Sequence, residues 1–137
     1  MTLQQLNRHR DIVLKLRMAE EQKAIIMAKT LGAANMDGMP HGTSTSDKVG
    51  SLGIMLANCD SVIQSLQSKR AASEAKVMEF INSIPKEDVI TFNIFILRFI
   101  ECLEWNDVAN IVGGGNSTDA VKAVCYRYLT ERNFTVS

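Results

Sequence analysis

The longest periodic signal in the chain runs from Val49 to Ile84. Val49, Leu52, Leu56, Cys59, Ile63, Leu66, Arg70, Ser73, Val77, Phe80 and Ile84 follow one another three or four residues apart, the spacing that lines side chains along one stripe of an α-helix. Kept up over about five heptads, such a stripe predicts a coiled-coil-like seam, interrupted by polar Arg70 and Ser73. Its partner is either an earlier helix of the same chain, folded back as a hairpin, or the same helix of a second chain. Residues Thr2 to Leu31 supply an earlier candidate: they contain no proline or glycine, and Leu3, Leu6, Val13, Leu16, Met27 and Leu31 give a second, imperfect stripe. Gly50 and Gly53 weaken the start of the seam helix and would admit a close neighbour.

Between the two helices, "LGAANMDGMPHGTSTSD" gathers glycines, Pro40 and a run of hydroxyls, a composition that favours turns. The organisation that follows is a long helix over residues 1–32, a linker over 33–46 and a heptad-patterned helix over 47–84. Ser46 is placed to cap that helix, with Asp47 favoured in its first turn by the helix dipole. Pro85 stops it, and Lys86-Glu87-Asp88 opens a further helical region over 86–132. "VITFNIFILRFIECL", Val89 to Leu103, is apolar on nearly every face. Its β-branched and aromatic residues suit a strand by propensity, but no second strand candidate exists to pair with it. An all-α fold is therefore expected.

The stretch "EWNDVANIVGGGNSTDAVKAVCYRYL" raises the functional question. A phosphate-cradling loop would need a strand before the glycines and a lysine followed by Ser or Thr at the helix start; the sequence has neither, and Asp119 would repel a phosphate there. Two readings remain, a flexible break and the turn of a helix-turn-helix. The second accounts for more residues. Trp105, Val108, Ala109 and Val112 share one helical face, Gly113 to Gly115 permit the positive φ of a sharp reversal, and Asn116 or Ser117 can cap the next helix. In that helix Val121, Val124, Cys125 and Tyr128 face inward, while Ser117, Thr118, Lys122, Tyr126 and Arg127 face outward. A helix of this kind can enter a major groove, which makes Asn116, Ser117, Thr118, Lys122, Tyr126 and Arg127 the candidate DNA contacts. Trp105 reads as a core anchor rather than a base-stacking ring.

Composition narrows the chemistry. The chain has 137 residues, 46% of them apolar, and a formal net charge of zero, so there is no global electrostatic argument for nucleic acid. The charge is uneven, however. Residues 1–32 hold six basic side chains against three acidic, and residues 86–137 hold five against seven; a DNA-reading unit there would draw phosphate contacts from dimerisation or from Arg8 and Arg10 of the first helix. Cys59, Cys102 and Cys125 are dispersed and read as buried thiols, without disulfide or zinc. His9 and His41 lack neighbours at ligand spacing, so no metal or other cofactor is expected. No catalytic motif stands out from ordinary helix surface, which predicts a non-enzyme. There is no signal-like or membrane-spanning run, and a cytoplasmic location follows as the expectation.

At these residues the chain resembles a family of sigma-factor-like helix-turn-helix regulators of phages and prophages of Gram-positive bacteria. The likeness rests on Arg98-Phe99 ahead of Trp105-Asn106-Asp107-Val108-Ala109, and on the "MPHGTSTSDKVG" segment, which looks like that family's hinge. It covers residues from about 39 to 130. Departures are Glu104 where a Thr or Ser cap is frequent, Asn106 at the first acidic position, Cys102 where glycine is common, and a longer glycine turn. The resemblance implies a DNA-binding transcription regulator working in a host bacterial cell on double-stranded DNA, with host RNA polymerase or another host protein as a further partner and a homo-oligomer formed through the heptad helix. The alternative is a protein-interaction module that keeps the helix-turn-helix shape while binding, or inhibiting, a host protein.

Overall fold

The computed structural model of the chain is all-helical. It describes residues 1–34 and 43–135, with side-chain surroundings for 1–30 and 50–133. Helix α1 spans Leu3–Ala34 and α2 spans Thr43–Asn82. Helix α3, Val89–Phe95, runs directly into a π-helical segment, Ile96–Ile100, and α4, Trp105–Val112, and α5, Thr118–Thr135, complete the order. Most of the expected linker lies outside the described residues, and α2 begins at Thr43, ahead of the anticipated cap at Ser46. The chain divides into two compact units: residues 1–14 with 69–137, and residues 15–68.

The first unit takes in more of the chain than the C-terminal region 86–132, and its core draws on both long helices. Leu6 of α1 and Val77, Phe80 and Ile81 of α2 bury against Ile94, Phe95, Phe99, Val108, Val121, Cys125 and Leu129. Phe95 is the hub. Its ring lies 5.7 Å from Phe80, 5.7 Å from Phe99 and 5.6 Å from Tyr128, centroid to centroid, all tilted or edge-on as the ring quadrupoles prefer. The turn from α2 to α3 is built by Ser83 and Ile84, whose amides return to Phe80 and Ile81. Helix α3 opens at Val89 and not at Lys86 as expected, so Asp88 lies ahead of the first turn and caps the helix by accepting from the Thr91 amide.

In the second unit the apolar seam continues. Leu52 and Ile63 are buried, and Leu56, Cys59 and Leu66 are half-buried. Across from them Leu16 and Ile26 of α1 are buried, and Lys23 makes an ion pair with Asp60 at 2.6 Å. Two expectations are corrected here. Met27 is 46% exposed and its neighbour Ile26 carries the stripe at 4%, a shift of one residue that keeps the three-four alternation with Leu16. Gly50 and Gly53 admit no neighbour, since nothing lies within 4 Å of the position a Cβ would take at either.

The α1 stripe looks imperfect in the sequence because a polar residue completes it. His9, between Leu6 and Val13, is fully buried, and its Nδ1 sits 2.8 Å from the Ser73 hydroxyl. Ser73 is thus the seam's polar answer to His9, and its place in the heptad pattern is no interruption. Burial pushes the His9 imidazole below its ordinary 6.5, with Glu74 opposing and Arg70 reinforcing the shift. The unfolded chain therefore takes up a proton near pH 6.5 that the folded chain refuses. Stability is complete above that value and falls as the pH drops through it, by at most about 1.4 kcal/mol per pH unit. Thermal melts between pH 7.5 and about 5.5 should show this decline, and His9→Leu should flatten it.

Candidate nucleic-acid interface

Helix α4 is placed by an ionic and aromatic cluster at its N-terminus. The Glu104 side chain makes no capping hydrogen bond. Its carboxylate instead meets Arg10 of α1 at 3.1 Å and Arg98 of the π segment at 3.9 Å. Arg98 donates from Nη1 to the Leu103 carbonyl at 2.9 Å, and its guanidinium carbon lies 4.6 Å from the centre of the Trp105 ring. Trp105 also receives Tyr126 of α5 edge-on, at 6.1 Å. Burial, then the nearby Arg10, lowers the pKa of Arg98, with Glu104 working against the shift. The cation stays charged and holds the α3–α4 connection by a carbonyl, a carboxylate and a ring.

That connection depends on Cys102, which has φ 60°, the one positive value outside glycine among the described residues. The π segment closes with the Glu101 amide on the Ile96 carbonyl, and the Leu103 amide returns to Leu97, so residue 102 occupies the left-handed position that ends a helix. Glycine takes this conformation freely; a side chain costs about 1–2 kcal/mol. Cys102 fills the site with a small, buried side chain whose Sγ lies 3.5 Å from the Phe99 carbonyl. Cys102→Gly should accordingly stay within about 1 kcal/mol of wild type, whereas Cys102→Val, branched at Cβ, should lose at least about that much more. Urea denaturation of the two variants checks the ordering.

The glycine run makes a defined turn. Gly113, Gly114 and Gly115 have φ of 67°, 66° and 75°. The Gly113 amide closes α4 on Ala109, and the Asn116 amide and side-chain amide both donate to the Gly113 carbonyl, at 3.2 and 2.8 Å. Ser117 caps α5 by accepting from the Ala120 amide at 3.1 Å. The Thr118 hydroxyl donates to the Asn106 side chain, tying the start of α5 to α4. Helix α5 then buries Val121, Cys125 and Leu129. The Cys125 thiol is pushed up to about 12 by burial, which leaves it protonated and unreactive. Cys59, the third thiol, is only half-buried.

The six candidate DNA contacts do not form one surface. Asn116, Ser117 and Thr118 spend their side chains on the turn, the cap and α4. Thr118, Lys122 and Tyr126 follow at four-residue intervals along the flank of α5 toward Trp105, where Lys122 is half-buried and Tyr126 is 41% exposed. Arg127 is exposed and lies roughly 140° around the helix from Lys122, at 100° per residue, beside Ala123 and Thr130. Asp119 is exposed in the first turn. Neither Lys122 nor Arg127 has an ion pair among the described residues. Arg10, the other expected phosphate contact, is instead committed to Glu104 and the Cys102 carbonyl with only 14% of its side chain exposed; Arg8 remains exposed.

The residues that sequence reasoning missed are those that position rather than present: Arg10, Glu104 and Asn106. Their partners are 94 and 12 residues away, beyond the reach of any local pattern. Among the described residues no three His, Cys, Asp or Glu side chains gather to hold a metal, and no helix is long and apolar enough to cross a membrane. Compared with known proteins, the chain matches no family model, no curated protein and no solved structure.

Proposed function

We propose that the chain is a DNA-binding transcription regulator in which α4, the glycine turn and α5 act as a sigma-factor-like helix-turn-helix. The observation that carries this reading is that α5 buries Val121, Cys125 and Leu129 while the exposed Arg127 and, on the flank toward Trp105, the half-buried Lys122 have no ion pair among the described residues. The turn supports it, because the three glycines have positive φ, Asn116 closes on the Gly113 carbonyl and Thr118 ties the start of α5 to Asn106 of α4. The likeness of Arg98-Phe99 and Trp105 to the phage regulators supports it as well, since these residues set the start of α4. In this reading Lys122, Tyr126 and Arg127 touch the duplex, and Asn116, Ser117 and Thr118 position the helix that carries them.

We also infer that α1 and α2 pair within one chain as an antiparallel hairpin. His9 meets Ser73 in the first unit, and Lys23 meets Asp60 in the second. Seam positions covered in this way need no second copy. A homo-oligomer would draw on other apolar positions, such as Met18, Ile25, Ile54 and Val62, each at least half exposed.

The second reading, an interaction module bound to a host protein, is favoured by a different observation. Ile111 at the end of α4 is 60% exposed, and Asp107 and Asp119 stand in the first turns of α4 and α5, where a phosphate would otherwise be welcome. A mobility-shift titration against DNA upstream of the neighbouring genes, at two salt concentrations, separates the two. The regulator binds and weakens with salt; the module leaves the DNA unshifted at low salt and is retained by a protein through the same helix.

A further inference from the structure

We propose that the groove between α1 and α2 in the first unit is a docking site for an acidic, amphipathic helix of a partner protein. Arg8 and Ile12 of α1 and Lys69, Ala72, Lys76 and Val77 of α2 line a groove of about 350 Å³. Its floor is apolar, with buried Val77, half-buried Ile12 and the small Ala72, while Ser73 beneath it is turned to His9. Its rim is cationic. Arg8, Lys69 and Lys76 have no ion pair among the described residues, whereas Arg10, Lys23, Arg70 and Arg98 are paired. The groove has no acidic lining residue, and it continues past Lys76 into a second depression of about 400 Å³ that reaches Arg132 of α5 with Glu79 as its one carboxylate.

The chemistry selects the occupant. Three unpaired cations beside an apolar floor call for a ligand that is both anionic and greasy. A phosphodiester backbone satisfies the cations but leaves Ile12 and Ala72 without apolar cover, and it needs no trough. A helix with leucine-like anchors three and four residues apart fills the floor and sets carboxylates against both rims. From Lys69 to Ser83 the groove runs ~21 Å at 1.5 Å per residue, about four turns of such a helix. This site is separate from the proposed DNA-contacting face of α5 and goes beyond that reading.

The test uses the full chain and two fluorescent helical peptides of about 14 residues, with the same leucine anchors and with either glutamate or lysine at the flanking positions. Fluorescence anisotropy should show the glutamate peptide binding at least about tenfold more tightly, a preference that shrinks with salt. Lys69→Glu with Lys76→Glu should abolish that preference, and Ala72→Met, at an exposed helical position, should weaken both peptides by filling the floor. Circular dichroism melts should confirm that these variants stay folded. Lys122→Ala with Arg127→Ala should leave peptide binding unchanged, which separates failure here from failure of the DNA reading. Equal binding of the two peptides, or no binding, overturns the proposal. So does displacement of the peptide by a short DNA duplex whose own binding falls with Lys69→Glu and Lys76→Glu, because the groove would then be a phosphate track.

Discussion

Phe95→Ala should cost about 3–5 kcal/mol, the largest loss expected of any single substitution. Phe95 is fully buried and touches three aromatic rings, from α2, the π segment and α5. Removing it takes away the transfer energy of the ring and leaves a void that three large, fixed neighbours cannot close. Because domains of this size are stable by roughly 5–15 kcal/mol in all, the variant should unfold at much lower urea, followed by circular dichroism. Phe95→Leu retains most of the volume and should lose far less. A loss below about 1 kcal/mol for the alanine variant would mean that the aromatic hub is not the centre of the core.

Gly114→Val with Gly115→Val should be the next most damaging change, at about 2–4 kcal/mol for the pair. Space is not the obstacle: a Cβ at Gly115 meets nothing within 4 Å, and at Gly114 only the Asn116 amide at 3.8 Å. The cost is the backbone's own, since φ of 66° and 75° forces a β-branched side chain against its carbonyl. Escaping that strain means reshaping the turn, which redirects α5. DNA affinity should therefore fall further than stability does. Ala123→Val, exposed on α5, serves as a control and should lose less than about 0.7 kcal/mol. Full tolerance of both glycine changes in melts and binding would show the turn to be a slack loop.

The helices were legible because their signals are local and repeated. Of the expected α2 stripe, Leu52, Ile63, Val77, Phe80 and Ile84 are buried, and of the inward row Val121, Val124, Cys125 and Tyr128 on α5, Val121 and Cys125 are, because a helix repeats its faces whatever it packs against; buried Ile81 and Leu129 lay outside both readings. Signals failed where a polar residue takes an apolar place, where the α1 stripe falls one residue off at Ile26, and where Gly50 and Gly53 meet no neighbour. His9 broke the α1 stripe on paper and completes it in the fold. The 15-residue apolar run gave no sign that it would pass from α-helix to π-helix at Ile96, nor that Cys102 would carry a left-handed φ.

The candidate site was less legible than the fold. Outward phase identified Lys122, Tyr126 and Arg127, but phase cannot say which exposed side chains are already engaged. Asn116, Ser117 and Thr118 have short polar groups suited equally to a base edge and to their own backbone, and nearby acceptors and donors took them first. Arg10 looked like a free cation of a basic helix. It is the partner of Glu104, 94 residues on, and a pairing of that separation leaves no periodic trace. The same holds for the groove beside Arg8, which needs α1 and α2 side by side before it exists.

Whether α5 meets a duplex is decided by the salt dependence of DNA affinity, compared between wild type and Lys122→Ala with Arg127→Ala. Arg127 is exposed and Lys122 is half-buried, outside the Val121, Cys125 and Leu129 row, so the double variant should stay within about 1 kcal/mol of wild type. If α5 meets the duplex, each cation neutralises a phosphate, and the slope of log affinity against log salt should become shallower by about 0.9 per residue removed. Weaker binding and a slope reduced by roughly two are the expected result. An unchanged slope with affinity intact would contradict it, as would a wild-type protein that leaves DNA unbound at low salt.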